Sequence, residues 1–229
     1  MTAYRAPVKP RPRARKKRGA ALKAHALEIL SRLKREYPDA HCELDFDSPL
    51  QLLIATILSA QCTDKRVNLV TPALFRMFPD APSLAAANPE IVEELIRTAG
   101  FFRSKTRSLI GMSAAVVENH GGEVPSTMDE LVALPGVGRK TANVVLGNAF
   151  GINAGVVVDT HVGRLSVRLG LTNETDPVKT EKALIPLFPQ DDWALLSHLL
   201  IFHGRRICIS RTPKCGDCIL NDICPSSRV

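Results

Sequence analysis

The sequence has no apolar run approaching the roughly 20 residues that a membrane-spanning helix requires. It also has no apolar segment behind the basic residues at its N-terminus, where a secretion signal would carry one. Hydrophobic residues make up 45% of the 229 residues, an ordinary share for a globular protein. We therefore expect a globular protein that neither spans a membrane nor is secreted, and that resides in the cytoplasm.

Acidic side chains are missing from residues 1–20, which carry eight of the 30 lysines and arginines. The remainder has 22 basic and 23 acidic residues, so this tail accounts for the whole net positive charge. Pro7, Pro10 and Pro12 exclude a regular helix there. We predict a disordered basic tail that suits a polyphosphate partner, because each cation near a phosphate releases counterions. A solubilising or targeting tail is the alternative.

The period-two alternation typical of strands is also absent. Residues 156–158, three valines, form the only strand-like run, and three residues are too few to build a sheet. Apolar residues recur instead at three- and four-residue steps, and Ser48–Pro49 and Asn88–Pro89 are typical helix starts. Pro72 is expected to kink or end its helix. The predicted fold class is all-α.

A Pro-Gly-Val-Gly turn at residues 135–138 separates two helices of the predicted pair at about residues 126–150. Gly136 and Gly138 permit a positive φ or a close backbone approach to a partner. The first amides of the following helix have no internal acceptor, so the turn is a candidate phosphate site. Lys140 lies against the positive end of the helix dipole, which favours the neutral, nucleophilic amine. An ordinary helix corner with a surface lysine is the alternative.

Cysteines are concentrated at the C-terminus, in a C-x6-C-x2-C-x5-C pattern. Two thiolates separated by two residues suit a metal site, and four ligands match either zinc or an iron–sulfur cluster. Disulfides are disfavoured, since the cytosol keeps thiols reduced. The spacing alone leaves zinc and iron–sulfur open. The candidate ligands are Cys208, Cys215, Cys218 and Cys224.

Cations surround the first part of this pattern. Arg211 and Lys214 lie between Cys208 and Cys215, in a loop that bound metal would hold at both ends. A rigid, positively charged loop is a suitable platform for phosphate contacts. The alternative is an ordinary solvated face.

Three separated motifs together resemble the endonuclease III family of DNA glycosylases. Leu-Pro-Gly-Val-Gly-Arg-Lys-Thr-Ala at 134–142 is similar to its helix-hairpin-helix, and Val-Asp-Thr-His at 158–161 to a second family segment. The cysteine spacing is the one that the family uses for a 4Fe–4S cluster. Leu-Ser-Ala-Gln at 58–61 is a fourth, weaker match, and the resemblance covers residues 21–225.

The resemblance implies two all-α domains with a DNA-binding cleft between them. Residues 42–155 would form a six-helix barrel that holds the hairpin. Residues 21–41 and 156–229 would form a discontinuous iron–sulfur cluster domain. The implied cofactor is a 4Fe–4S cluster, and the implied partner is damaged double-stranded DNA, bound by a monomer in the nucleoid.

The resemblance also implies a chemistry and assigns residues to it. Lys140 would attack the sugar of an oxidised pyrimidine nucleotide, form a Schiff base and cut the strand on the 3′ side by β-elimination. Asp159 would stabilise the cationic sugar and help to move protons, although an aspartate before a helix is also a good N-cap. Thr160 and His161 would shape the site, or His161 would only pack.

The DNA contacts implied are of two kinds. Gly136, Gly138 and Arg139 belong to the hairpin motif that would bind the backbone. Gln61 would enter the gap left by the flipped nucleotide. The family commonly has a leucine after the glycine that corresponds to Gly100, whereas this chain has two phenylalanines; we assign Phe101 as the wedge, and core packing is the alternative.

Two rival functions differ from this one in identifiable residues. An adenine-mismatch glycosylase of the same superfamily would retain the aspartate but usually lack the lysine, whereas Lys140 is present. A non-enzymatic DNA-binding protein would use the cysteines for zinc. In that protein Lys140 and Asp159 would be a surface charge and a helix cap.

Overall fold

The computed structural model describes residues 17–229, and the basic tail up to residue 16 lies outside the described part. Every regular element between residues 17 and 229 is helical, so the fold is all-α as predicted. No helix in this range combines the length and apolarity that crossing a membrane requires. The α-helices are α1 (Gly19–Glu36), α2 (Pro49–Leu58), α3 (Asp64–Met77), α4 (Ala81–Ala85), α5 (Pro89–Ile96), α6 (Phe102–His120), α7 (Met128–Ala133), α8 (Arg139–Ala149), α9 (Thr160–Arg168), α10 (Pro177–Leu184) and α11 (Trp193–Arg206).

The chain divides into two compact units. The hairpin unit is Cys42–Ala154 and contains α2 to α8. The cysteine unit combines the chain up to His41 with Gly155–Val229, and contains α1 and α9 to α11. The sequence predicts the second boundary one residue later, and it predicts a tail to residue 20, whereas α1 already begins at Gly19. The helix starts there because three alanines with high helix propensity follow within five residues.

Helix α2 is the centre of the hairpin unit. Seven consecutive residues from Leu52 to Leu58 are buried. Full burial of one leucine stabilises the fold by about 1.5–3 kcal/mol, so this helix anchors the unit. Its start is fixed by Ser48, whose side chain accepts a hydrogen bond from the Gln51 amide, with Pro49 at the first helical position.

Helix α6 holds the hairpin turn against the rest of that unit. A Cβ added to Gly136 would lie 2.6 Å from Cβ of Ser108, and one added to Gly111 would lie 3.4 Å from Cβ of Pro135. Both Ser108 and Gly111 are on α6. The small residues on α6 therefore allow the turn between α7 and α8 to approach the helix closely.

The cysteine unit has its own apolar core. Helices α1, α9 and α11 contribute fully buried side chains, among them Ile29, Leu33, Leu165 and Leu199. Val156 and Val158 pack into the same core without forming a strand, since no neighbouring extended segment of the described chain pairs with them. The three-valine run thus supplies core residues on the way into α9.

Helix α3 does not end at Pro72. It continues through the proline to Met77, and its N-cap is Thr63, whose side chain accepts a hydrogen bond from the Arg66 amide. Pro72 lies on the exposed face of the helix, where water can satisfy the carbonyl that the missing N–H leaves without its helical donor. The neighbouring Thr71 and Leu74 are buried and keep the helix in place on both sides of the proline.

Candidate active site and cluster site

Of the two glycines in the hairpin turn, only Gly136 has a backbone conformation that favours glycine. Gly136 has φ +76°, in the left-handed region that favours glycine. Gly138 has φ −97° and ψ 171°, an extended conformation open to any residue. A Cβ at Gly138 would meet no protein atom within 4 Å. The space beside Gly138 is therefore open to a ligand.

The N-terminus of α8 presents the groups that the sequence predicts for an anion site. Gly138 is its N-cap, and no side chain caps the helix. Its carbonyl accepts the first helical bond, from the Ala142 amide, at 3.0 Å. The amides of the first turn therefore point outward along the helix axis. Arg139 and Lys140 are both exposed in this turn, so the lysine amine is accessible to a large substrate.

Gln61 and Phe101 have an unusual backbone in common. In residues 17–229 they are the two non-glycine residues with positive φ, at 53° and 48°. A left-handed conformation costs about 1–2 kcal/mol for an ordinary residue, and such strain concentrates at functional sites. Gln61 is exposed, and Phe101 is 66% exposed.

The neighbouring Phe102 packs its ring against two arginine side chains and does not extend into solvent as Phe101 does. It is half-buried, with the guanidinium carbons of Arg97 and Arg103 at 5.7 and 5.4 Å from its ring centre. Of the two phenylalanines, Phe101 is thus the one that presents its ring to solvent.

Asp159 is the N-cap of α9, as its alternative interpretation suggests. Its Oδ1 accepts hydrogen bonds from the amides of His161 and Val162, both at 2.8 Å. No group in the described part of the chain donates a hydrogen bond to the second oxygen, Oδ2. The cap fixes the carboxylate while leaving one oxygen available for chemistry, so the two interpretations are compatible.

Of the two residues that follow Asp159, Thr160 is exposed and His161 is packed. Thr160 is exposed in the first turn of α9. His161 is half-buried against α11, because a Cβ added to Gly204 would lie 2.8 Å from its Nδ1. Arg164 Nη2 contacts the same nitrogen at 3.2 Å and donates to the Gly204 and Cys208 carbonyls.

All four C-terminal cysteines line one cavity of about 260 Å³ in the cysteine unit. Within residues 17–229, no three His, Cys, Asp or Glu side chains converge closely enough to hold one metal ion. Four cysteines around one cavity are the ligand set that a 4Fe–4S cluster requires, so the residues present fit that group.

The surroundings of the sulfurs suit bound thiolates. Arg168 Nη1 lies 3.4 Å from Sγ of Cys208, and the Leu220 amide lies 3.4 Å from Sγ of Cys218. Burial raises the pKa of Cys218 to about 11. Iron binding at Cys218 would therefore require loss of the thiol proton, because the thiolate is the metal ligand. Arg168 was not predicted, because only the fold brings the end of α9 to the first cysteine.

The two cations between the first cysteines are exposed. Arg211 and Lys214 both face solvent, and Lys214 also lines the cysteine cavity. The Lys214 amide donates to the Ile207 carbonyl at 3.0 Å, which closes the loop. Arg206, just before the pattern, has its guanidinium carbon 4.2 Å from the centre of the Phe202 ring, so its side chain packs on an aromatic face.

Comparisons with known proteins agree with these features. The model of HhH-GPD superfamily base excision DNA repair proteins matches residues 54–190, and that of the iron–sulfur binding domain of endonuclease III matches residues 208–224. Endonuclease III of Synechocystis sp. is 56% identical over 91% of this chain and 95% of its own length. Endonuclease III of Escherichia coli K12 is 42% identical over 88% of this chain and 95% of its own.

Solved structures give the same result. A trapped endonuclease III–DNA covalent intermediate has a TM-score of 0.85 and 41% identity, over 89% of this chain and 96% of that one. A non-covalent endonuclease III–DNA complex also has a TM-score of 0.85, with 42% identity over 89% and 95% of the two chains. With a superfamily model over more than half of its length and relatives this similar, the chain belongs to the endonuclease III family, the DNA glycosylases and AP lyases of base excision repair, and carries a 4Fe–4S cluster.

Proposed function

We propose that Lys140 is the nucleophile with which this glycosylase removes an oxidised pyrimidine from damaged duplex DNA. The observation that carries the proposal is the exposed amine in the first turn of α8, directly after the open turn at Gly138. A phosphate bound by the first-turn amides would bring the neighbouring sugar towards this amine.

The reaction then follows in balanced steps. The Lys140 nitrogen forms a bond to the anomeric carbon of the sugar while the bond from that carbon to the base breaks, and the base leaves with a proton. Loss of a proton from nitrogen and opening of the sugar ring give an imine. The imine acidifies the adjacent carbon, which loses a proton as the bond to the 3′ oxygen breaks. Covalent catalysis thus divides one difficult reaction into easier steps.

Asp159 is the proposed partner of the lysine. The two amide hydrogen bonds to Oδ1 fix the carboxylate on α9. Oδ2 is then free to stabilise positive charge on the sugar and to accept and return protons, as a positioned carboxylate does in glycosyl transfer. The neighbouring Thr160 is exposed and would line the same site.

DNA binding uses both units in this proposal. In the hairpin unit, Arg139 and the backbone around Gly136 and Gly138 bind phosphates, while Gln61 and Phe101 enter the base stack. Such insertion offsets the few kcal/mol that nucleotide flipping requires. In the cysteine unit, the loop with Arg211 and Lys214 binds the backbone. The four cysteines would hold the cluster, and a bound cluster would fix this loop at both ends. Since one chain supplies all of these residues, we expect a monomer to act.

Borohydride trapping tests the role of Lys140. The protein is incubated with a duplex that bears an oxidised pyrimidine or an abasic site, and borohydride reduces any imine to a stable crosslink. We expect a crosslink with the natural chain and none with Lys140→Ala. Lys179→Ala is the matched control, because Lys179 is also an exposed lysine in the first turn of a helix, α10. A crosslink that persists in Lys140→Ala would overturn the assignment.

A further inference from the structure

Lys105 is a buried lysine that the proposed chemistry does not use. It lies on α6 and is only 5% exposed. Its ammonium donates hydrogen bonds to the carbonyls of Leu58, at 2.7 Å, and Ala99, at 2.9 Å. Burial lowers the pKa of Lys105, an effect that the nearby Cys62 opposes. Lysines are rarely buried unless paired, so these two contacts require an explanation.

The two carbonyls mark the ends of two separate elements. Leu58 is the last residue of α2, three residues before Gln61. Ala99 is the last residue of a short 3-10 helix, Arg97–Ala99, and lies two residues before Phe101. Gln61 and Phe101 are the two strained residues, so one ammonium joins the segments that lead into both.

Further contacts reinforce this arrangement. The Lys105 amide donates to the Phe101 carbonyl at 3.0 Å, so its backbone also holds the second segment. The Cys62 amide donates to the Ser59 carbonyl at 3.0 Å, which forms the turn that carries Gln61. A cation at the end of a helix is favourable by itself. A simple cap, however, would serve one element end, whereas this lysine serves two.

We propose that Lys105 is a positioning residue for DNA insertion, which holds the Gln61 and Phe101 segments at a fixed separation so that both side chains enter the duplex together. The proposal rests on the insertion of Gln61 and Phe101 proposed above. Without the ammonium, the two segments would lose their common donor and move independently. The insertion step would then slow, while chemistry at Lys140 on DNA that needs no insertion would continue.

The experiment compares two substrates and four variants. Single-turnover strand cleavage is measured at an abasic site in a duplex and at the same site in a single strand, which has no stack to enter. Lys105→Met removes the donor but keeps the apolar stem, and Lys105→Arg keeps a donor for both carbonyls. Thr106→Val is the matched control, since this neighbouring hydroxyl is buried and its oxygen has no hydrogen-bond partner within residues 17–229. Phe101→Ala reports on insertion itself.

We expect Lys105→Met to lose about tenfold or more on the duplex, in line with the loss of hydrogen bonds from a charged group, and less than about twofold on the single strand. Lys105→Arg should recover most of the duplex rate, and Thr106→Val should match the natural chain on both substrates. A second readout is the fluorescence of 2-aminopurine opposite the abasic site, which rises when the stack opens. Its rise should be smaller in Lys105→Met.

Three outcomes would overturn the proposal. An equal loss on both substrates would assign Lys105 a general structural role. If Lys105→Met cleaves the duplex at the normal rate while Phe101→Ala is slower, the positioning role of Lys105 is rejected and the insertion of Phe101 is retained. A normal duplex rate in Phe101→Ala would reject the insertion on which the proposal rests. If Lys105→Met does not retain its helical circular dichroism and cluster absorption, Lys105→Gln replaces it. Its shorter, neutral amide weakens rather than removes the two hydrogen bonds, so a smaller loss that is confined to the duplex is then expected.

Discussion

Different atoms of Asp159 serve the observed cap and the proposed catalytic role. Oδ1 caps α9, and Oδ2 is the oxygen proposed to act on the sugar. Asparagine and serine also cap helices well, so Asp159→Asn and Asp159→Ser should keep the stability of the natural chain while base excision falls by about 100-fold or more. Excision is measured under single-turnover conditions, and stability by thermal unfolding.

Asp159→Ala completes the comparison because it removes the cap as well. We expect it to lose excision to the same degree and, in addition, about 0.5–2 kcal/mol of stability. If Asp159→Ser excises bases at the natural rate, the carboxylate is a cap and nothing more.

The sequence predicts the residues whose meaning depends on local spacing. The cysteines and Lys140 occur in short patterns, and Asp159 stands directly before a helix, so each is visible without a fold. Lys105 is not visible in this way, because its two acceptors lie 47 and 6 residues away in the chain. The strain at Gln61 and Phe101 is equally invisible, since neither residue type predicts a left-handed backbone.

At the scale of elements, the hairpin offers a matched pair of glycines. Gly136 has a positive φ, and a Cβ there would lie 2.6 Å from Ser108 Cβ. We expect Gly136→Ala to destabilise the protein by about 2–4 kcal/mol, from strain and overpacking together. Gly138→Ala should leave stability almost unchanged, since its backbone is extended and no protein atom is near.

DNA binding should reveal a defect in the variant whose stability is unchanged. A methyl group at Gly138 would occupy the space proposed for a phosphate, so Gly138→Ala should bind duplex DNA several-fold more weakly in fluorescence anisotropy. Equal affinity for the natural chain and Gly138→Ala would show that the turn does not approach the backbone closely.

Helix identities are predicted well, and their exact ends less so. Ser48 and Asn88 begin helices as predicted, because capping chemistry is local. Helix α3 passes through Pro72 because buried neighbours on both sides outweigh one lost hydrogen bond. Helix α6 begins at Phe102, directly after the left-handed Phe101, which sets its start. These outcomes depend on tertiary packing, which periodicity does not reveal.

At the scale of the whole molecule, the net positive charge lies at the N-terminus, and the remainder of the chain is nearly neutral. The residues that precede the described chain include six cations: Arg5, Lys9, Arg11, Arg13, Arg15 and Lys16. Lys17 is different, because its ammonium contacts His25 Nδ1 at 2.9 Å, and α1 begins at Gly19. A deletion that removes residues 1–16 therefore tests the tail and leaves every described residue in place.

If all six cations contact phosphates, the slope of log affinity against log salt should become shallower by up to about 5 in the deletion variant. Affinity at low salt should fall, and the crosslinking rate at saturating DNA should stay the same, since Lys140 and Asp159 remain. A full-length chain with the six cations changed to glutamine is the control, and it should behave like the deletion because charge rather than length is responsible. A deletion variant with an unchanged slope would show that the tail does not touch DNA, and the neutral body would then bind through its local cations alone.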